Sequence, residues 1–172
     1  GRHLNALLIA EDVVGITIDE ETIQKHSNAA FFSYSGSAPL PLNRDDLTGP
    51  LINFNEHNIR EGFHALFALV HYRGSDRAAE IAEASIAFLL ELWKPKNGWD
   101  WDRLESKFGL RVSKDHTFIT GIARAIGPLA KYYTATQHGP ALELAIILAS
   151  KAMDEFFLSD GIYDPKKNWD PY

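Results

Sequence analysis

The stretch Asn53–Ala68, NFNEHNIREGFHALFA, gathers Glu56, His57, Arg60, Glu61 and His64 around the opening of a helix whose other positions are largely apolar. These residue types could move protons. Glu56 or Glu61 would act as a general acid if enclosure raised its pKa, and His57 as a proton shuttle. Arg60 could grip a carboxylate through two parallel N–H bonds. A charge-paired helix start, with the glutamates favoured by the helix dipole, is the competing account of the same residues. A second opening lies at Asp115–Ala130, DHTFITGIARAIGPLA, where His116 takes the matching position. Capping of that helix by Asp115 explains part of the likeness.

Trp99-Asp100-Trp101-Asp102 sets carboxylates between aromatic faces at the end of a helix pair, and Tyr163-Asp164 and Trp169-Asp170 offer similar material. The tryptophans could equally pack between repeats, because each buries a large area, and Asp100 and Asp102 could be helix caps. Glu61-x-x-His64 has the spacing of half a di-iron helix motif, but a carboxylate-bridged site needs a second such helix and the sequence has none. His-Glu-x-x-His, Gly-x-Ser-x-Gly, a phosphate-binding glycine loop and a calcium loop are all missing. Asp160–Asp164 has too few ligands in series for an EF-hand. The expectation is no metal and no cofactor.

Four helices must position these groups. In the first, Ile59, Phe63, Leu66, Phe67 and Val70 share a face; Gly74 closes it and Ser75 or Asp76 caps the second. There Ile81, Ala84, Phe88, Leu89 and Leu92 form the stripe, and Pro95 and Asn97-Gly98 end it. The third spans about Thr117–Tyr133, with a kink expected at Pro128. The fourth, Pro140–Phe157, is apolar nearly all round, which predicts cover on more than one side. Trp101–Phe108 could add a short helix. Aligning Gly62 with Gly121 makes 53–114 and 115–172 two like units of about sixty residues, an inner plus an outer helix each. Residues 1–52 read as an irregular segment: a short helix at Arg2–Ala10, an extended or strand-like Val13–Ile18, a helical turn at Asp19–His26, and a long Ser/Gly/Pro/Asn-rich loop from Ser33 to Pro50.

Composition narrows the classes. A net charge of -6 with no Lys/Arg cluster argues against nonspecific nucleic-acid binding. The absence of cysteine excludes disulfides and thiolate chemistry. No run reaches the roughly 18 apolar residues of a membrane span, so a soluble chain, cytoplasmic or exported, is expected.

The helix-Gly patterns, Tyr-Tyr-Thr-Ala-Thr between paired helices, and Gly-aromatic-Asp after each pair together resemble part of an (α/α) toroid of the kind found in glycoside hydrolases, polysaccharide lyases and sugar epimerases. The resemblance covers roughly Asn53–Tyr172 and implies an all-α fold of helical hairpins, with inner-helix openings facing a cavity. It implies a carbohydrate ligand, glycoside hydrolysis first and lyase or epimerase chemistry next. Glu56, His57, Glu61 and Asp100 would then be catalytic, and Arg60, Trp99, Trp101 and His116 would hold substrate. Arg60 would suit a uronic acid. Toroids usually carry more hairpins than two, so another subunit, chain segment or copy is expected to complete the ring. The end at Asn168–Tyr172, just after a helix, reads as a truncation or cleavage point. A non-enzymatic helical-repeat module that binds protein is the alternative.

Overall fold

The computed structural model describes residues 1–164, 166 and 167, and it is mostly helical. The helices are α1 (Arg2–Val14), α2 (Glu20–Ser33), α3 (Asn58–Arg73), α4 (Asp76–Leu92), α5 (Trp101–Ser106), α6 (Ile126–Thr136) and α7 (Gly139–Phe156). A 3-10 turn at Ile122–Ala125 leads into α6. Among the described residues, two-residue strands join them: β1 (Leu42–Asn43), β2 (Asn53–Phe54), β3 (Trp93–Lys94), β4 (Gly98–Trp99) and β5 (Arg111–Val112).

The helices form two layers. α1, α3 and α6 pack side by side in that order. α4 backs α3, α7 backs α6, and α4 and α7 touch each other, while α2 packs on α1 and α3. Leu4, Leu8 and Ile23 from the first two helices share one core with Phe63, Leu66, Ile86, Leu89, Leu129 and Leu148.

The chain before residue 53 is therefore more ordered than its composition predicts. Val13 and Val14, read as strand-like for their branching, end α1 instead, and Gly15 closes that helix at φ 71°. Asp19 does begin a helix, accepting the Thr22 N–H at 2.9 Å, but α2 continues well past His26 to Ser33. The result is a third hairpin rather than an irregular segment.

Local signals explain the α3–α4 junction. Gly74 takes φ 59°, and the Gly74 and Ser75 N–H groups return to Val70 and Leu69 carbonyls at 3.1 and 3.2 Å. Ser75 then caps α4 through the Ala78 N–H, so the cap is Ser75 and not Asp76. After α4, Trp93 pairs with Trp99 in a tight antiparallel hairpin. The expected kink at Pro128 is absent for a physical reason. α6 starts at Ile126, so Pro128 lies in the first turn, where its missing N–H is not needed.

One end of the hairpins is gathered by a small sheet. β1 pairs antiparallel with β2, and β2 pairs parallel with β5. β2 runs directly into the opening of α3, and β5 leads to residues 113–120. The sheet thus brings both helix openings to the same rim.

Candidate functional site at the helix openings

Glu56, between β2 and α3, is only 4 % exposed. It accepts a 2.9 Å hydrogen bond from the Trp99 indole N–H and another from the Ile122 backbone N–H. Burial without a cationic partner pushes its carboxyl up to about 6, with those two bonds opposing the shift. Gly121 makes this packing possible: a Cβ there would overlap the carboxyl group and lie 2.6 Å from Glu56 Cγ. The glycine aligned with it, Gly62, has the same role, since its Cβ would overlap the Tyr34 hydroxyl. The likeness of the two units in sequence is a shared need for close approach.

His57 lies on the more open side. Its ring stacks on His116, centroids 5.7 Å apart and planes 27° from parallel. Arg124 Nη1 is 3.2 Å from Nδ1, and Arg60 Nη2 is 3.4 Å from Nε2. Burial, then the charges of Arg60 and Arg124, hold its pKa below the ordinary histidine value, with the Thr120 carbonyl opposing and His116 adding to the depression. His57 is thereby kept as a neutral imidazole at neutral pH.

Glu61 is a turn further along α3. Arg60 Nη2 stands 2.9 Å and Arg2 Nε 2.8 Å from its Oε1, and the Arg2 backbone N–H donates to Oε2 at 3.3 Å. Burial alone would raise its pKa, but the bonds from Arg2 and Arg60 outweigh it and hold the carboxyl below its usual value. The carboxylate also lines a recess of about 220 Å³ shared with Asn58, Asn43, His26 and Ser33. His64, one turn on, is half-buried with Nδ1 unpartnered, and burial keeps its pKa low.

The structure divides the expected site residues. His57, Arg60 and His116 converge, and Glu61 joins them through Arg60. Asp100 spends its carboxylate as the cap of α5, accepting the Arg103 N–H at 3.1 Å. Trp99 is 7 % exposed, edge-on to Phe54 at 5.1 Å, so its face is core and not a sugar platform. Trp101 remains half-exposed, tilted 36° against Trp99 with Lys114 above it. Tyr163 donates to the Lys167 carbonyl at 2.9 Å, away from this rim in sequence. Trp169 and Asp170 lie outside the described residues. Among the described residues no three His, Asp or Glu side chains are grouped as for a metal ion, and no helix is long and apolar enough to cross a membrane.

Arg124 was missed by sequence reasoning. It follows the aligned glycine by three residues, whereas Arg60 precedes its glycine by two, so a simple repeat alignment does not pair them. No family model, curated protein or solved structure matches the chain.

Proposed function

We propose that the chain is a carbohydrate-active protein, part of an (α/α) toroid, that takes an acidic sugar at the cluster of His57, Arg60, Arg124 and His116. One observation carries this reading: both ring nitrogens of His57 face a guanidinium, at 3.4 and 3.2 Å. A carboxylate entering beside the ring would meet the Arg60 and Arg124 guanidiniums, the charge-assisted recognition a uronate needs.

The same arrangement suits proton abstraction. The neutral ring is a base, and the adjacent guanidiniums would stabilise the negative charge that develops next to a substrate carboxylate as its α-proton leaves. Departure of the neighbouring C–O oxygen as an alcohol, taking up the abstracted proton, completes a lyase reaction, and protonation of the opposite face from solvent completes an epimerase reaction. Glycoside hydrolysis becomes the second reading. It needs two available carboxyl groups flanking the bond, whereas Asp100 caps a helix, Glu61 is tied to two arginines, and Glu56 is almost fully enclosed. Its support is the raised pKa of Glu56.

The test is a panel of oligouronates and neutral oligosaccharides. Expected with a uronate is either ultraviolet absorbance from an unsaturated product or solvent deuterium incorporated at the carbon bearing the carboxylate. Both should be lost in His57→Asn and weakened at least tenfold in Arg124→Gln. Release of reducing ends from a neutral glycan, with neither of those signals, would replace this reading by the hydrolase. No binding to any sugar would leave the protein-binding module.

A further inference from the structure

The three helices packed side by side have a second end. α1, α3 and α6 run in the same direction: Arg2 meets Glu61 and Glu11 meets Arg73, while Arg124 meets His57 and Lys131 stands over Phe67. Their openings hold the cluster around His57. Ten to fourteen residues further along α3, about 15–21 Å at 1.5 Å per residue, the same helices border a separate cavity of about 380 Å³. Its floor is aromatic. His71 stacks on the buried Phe67 ring, centroids 5.4 Å apart and planes 13° from parallel, and Tyr72 meets His71 edge-on at 4.6 Å. Ile9 of α1 forms one side. On the other, α6 presents methyl groups at Ala130 and Ala135, which leave the space open. Thr134 turns its hydroxyl into its own helix, donating to the Ala130 carbonyl at 3.0 Å. The charge on that side is Lys131, whose Nζ stands 5.8 Å from the centre of the Phe67 ring. None of the ion pairs among the described residues includes it. The opposite side is acidic: burial, then the charge of Asp12 on α1, raise the pKa of the Tyr72 hydroxyl.

We propose that this cavity binds a small aromatic carboxylate, with its ring against His71, Tyr72 and Ile9 and its carboxylate on Lys131. The volume is that of a small-molecule site, and mostly apolar walls with one placed charge are the usual make-up of such a site. A flat ring matches the stacked and edge-on rings of the floor. The carboxylate gives Lys131 the charged partner that it lacks within the fold. Asp12 sets the orientation, because a carboxylate turned towards α1 would meet a like charge. A ligand cation would face Lys131 instead, and a neutral ring would leave the ammonium without a partner. The site is independent of any sugar chemistry at the helix openings.

Cinnamate is the probe, titrated against the ring-proton NMR signals of His71, which His71→Gln assigns, and by calorimetry. The wild-type chain should show saturable displacement of those signals. Cinnamyl alcohol, the same ring without the charge, should bind at least about tenfold more weakly. Lys131→Gln should bring the acid down to the level of the alcohol, and Ala135→Leu should block both by filling the cavity. Both side chains are exposed, so circular dichroism and Tm should stay unchanged in both variants. The His57 signals are followed in the same titration, because Arg60 and Arg124 offer a carboxylate another place to bind. Displacement of His57 alone, equal binding of acid and alcohol, or His71 displacement that survives Lys131→Gln or Ala135→Leu would each overturn the proposal. So would unmoved His71 signals up to the solubility limit of the probe.

Discussion

Glu56 and Glu61 stand five residues apart at the same helix opening, yet their surroundings drive them in opposite directions. Glu56 is enclosed by an indole N–H, a backbone N–H and the bare Cα of Gly121, with no cation at hand, and its carboxyl rises to about 6. Glu61 meets Arg2 and Arg60 at 2.8 and 2.9 Å and falls below its ordinary value. Neutral donors can satisfy a carboxylate's lone pairs without balancing the cost of taking its charge out of water. The difference also separates two kinds of work. Glu56 fastens β2, the β3–β4 hairpin and the turn before α6 to one another, and so holds Thr120 and Arg124 towards His57. Glu61 orients Arg60 from the solvent side.

The comparison breaks most visibly if Glu56 is removed. Glu56→Ala leaves the Trp99 and Ile122 N–H groups unpaired and opens a cavity, and should cost about 3 kcal/mol in urea unfolding. Gly121→Ala presses a methyl group into the same carboxyl and should cost about 1–3 kcal/mol. If both variants unfold like wild type, Glu56 is not the fastening described.

The pH dependence sharpens the contrast, because the two signs are opposite. The folded chain holds the Glu56 proton more tightly than the unfolded chain does. Its stabilising contribution is therefore complete below the ordinary value of 4.5 and lost as pH rises through about 6. That shift corresponds to about 2 kcal/mol, and the decline between those pH values should vanish in Glu56→Gln. Glu61 works the other way. Its contribution is present above the ordinary carboxyl range and lost as pH falls through the depressed folded value. Glu61→Gln should thus flatten the acid side of the curve. Its cost at neutral pH should be about 1 kcal/mol at most, since the pair is partly open to solvent.

What the sequence made legible follows the reach of each signal. α3 and α4 were visible because apolar periodicity, Gly74 and Ser75 all act within a turn or two. Gly62 and Gly121 aligned because both must admit a neighbouring side chain, a demand that leaves a glycine behind. The α1–α2 hairpin was hidden by Val13 and Val14, whose branching mimics a strand until Gly15 is seen to close a helix. The charge states of the two glutamates were not readable at all. They depend on Trp99 and Arg2, 43 and 59 residues away along the chain, and no spacing rule announces which partner arrives. Asp100 fell to its local role, as an aspartate before a helix usually does.

The smallest effect expected is also the one nearest the proposed chemistry. His57 owes its low pKa first to burial and then to Arg60 and Arg124, with the Thr120 carbonyl pulling the other way. Replacing Arg124 by Gln removes one cation while burial and Arg60 remain. The His57 titration, followed by the ring-proton NMR shifts, should therefore move upward without reaching the ordinary value. Glu56→Gln should leave that titration nearly unchanged if the carboxyl acts only through packing, because Glu56 makes no contact with the ring among those described. A His57 titration that follows Glu56 as closely as Arg124 would mean the enclosed carboxyl acts on the ring through its charge as well.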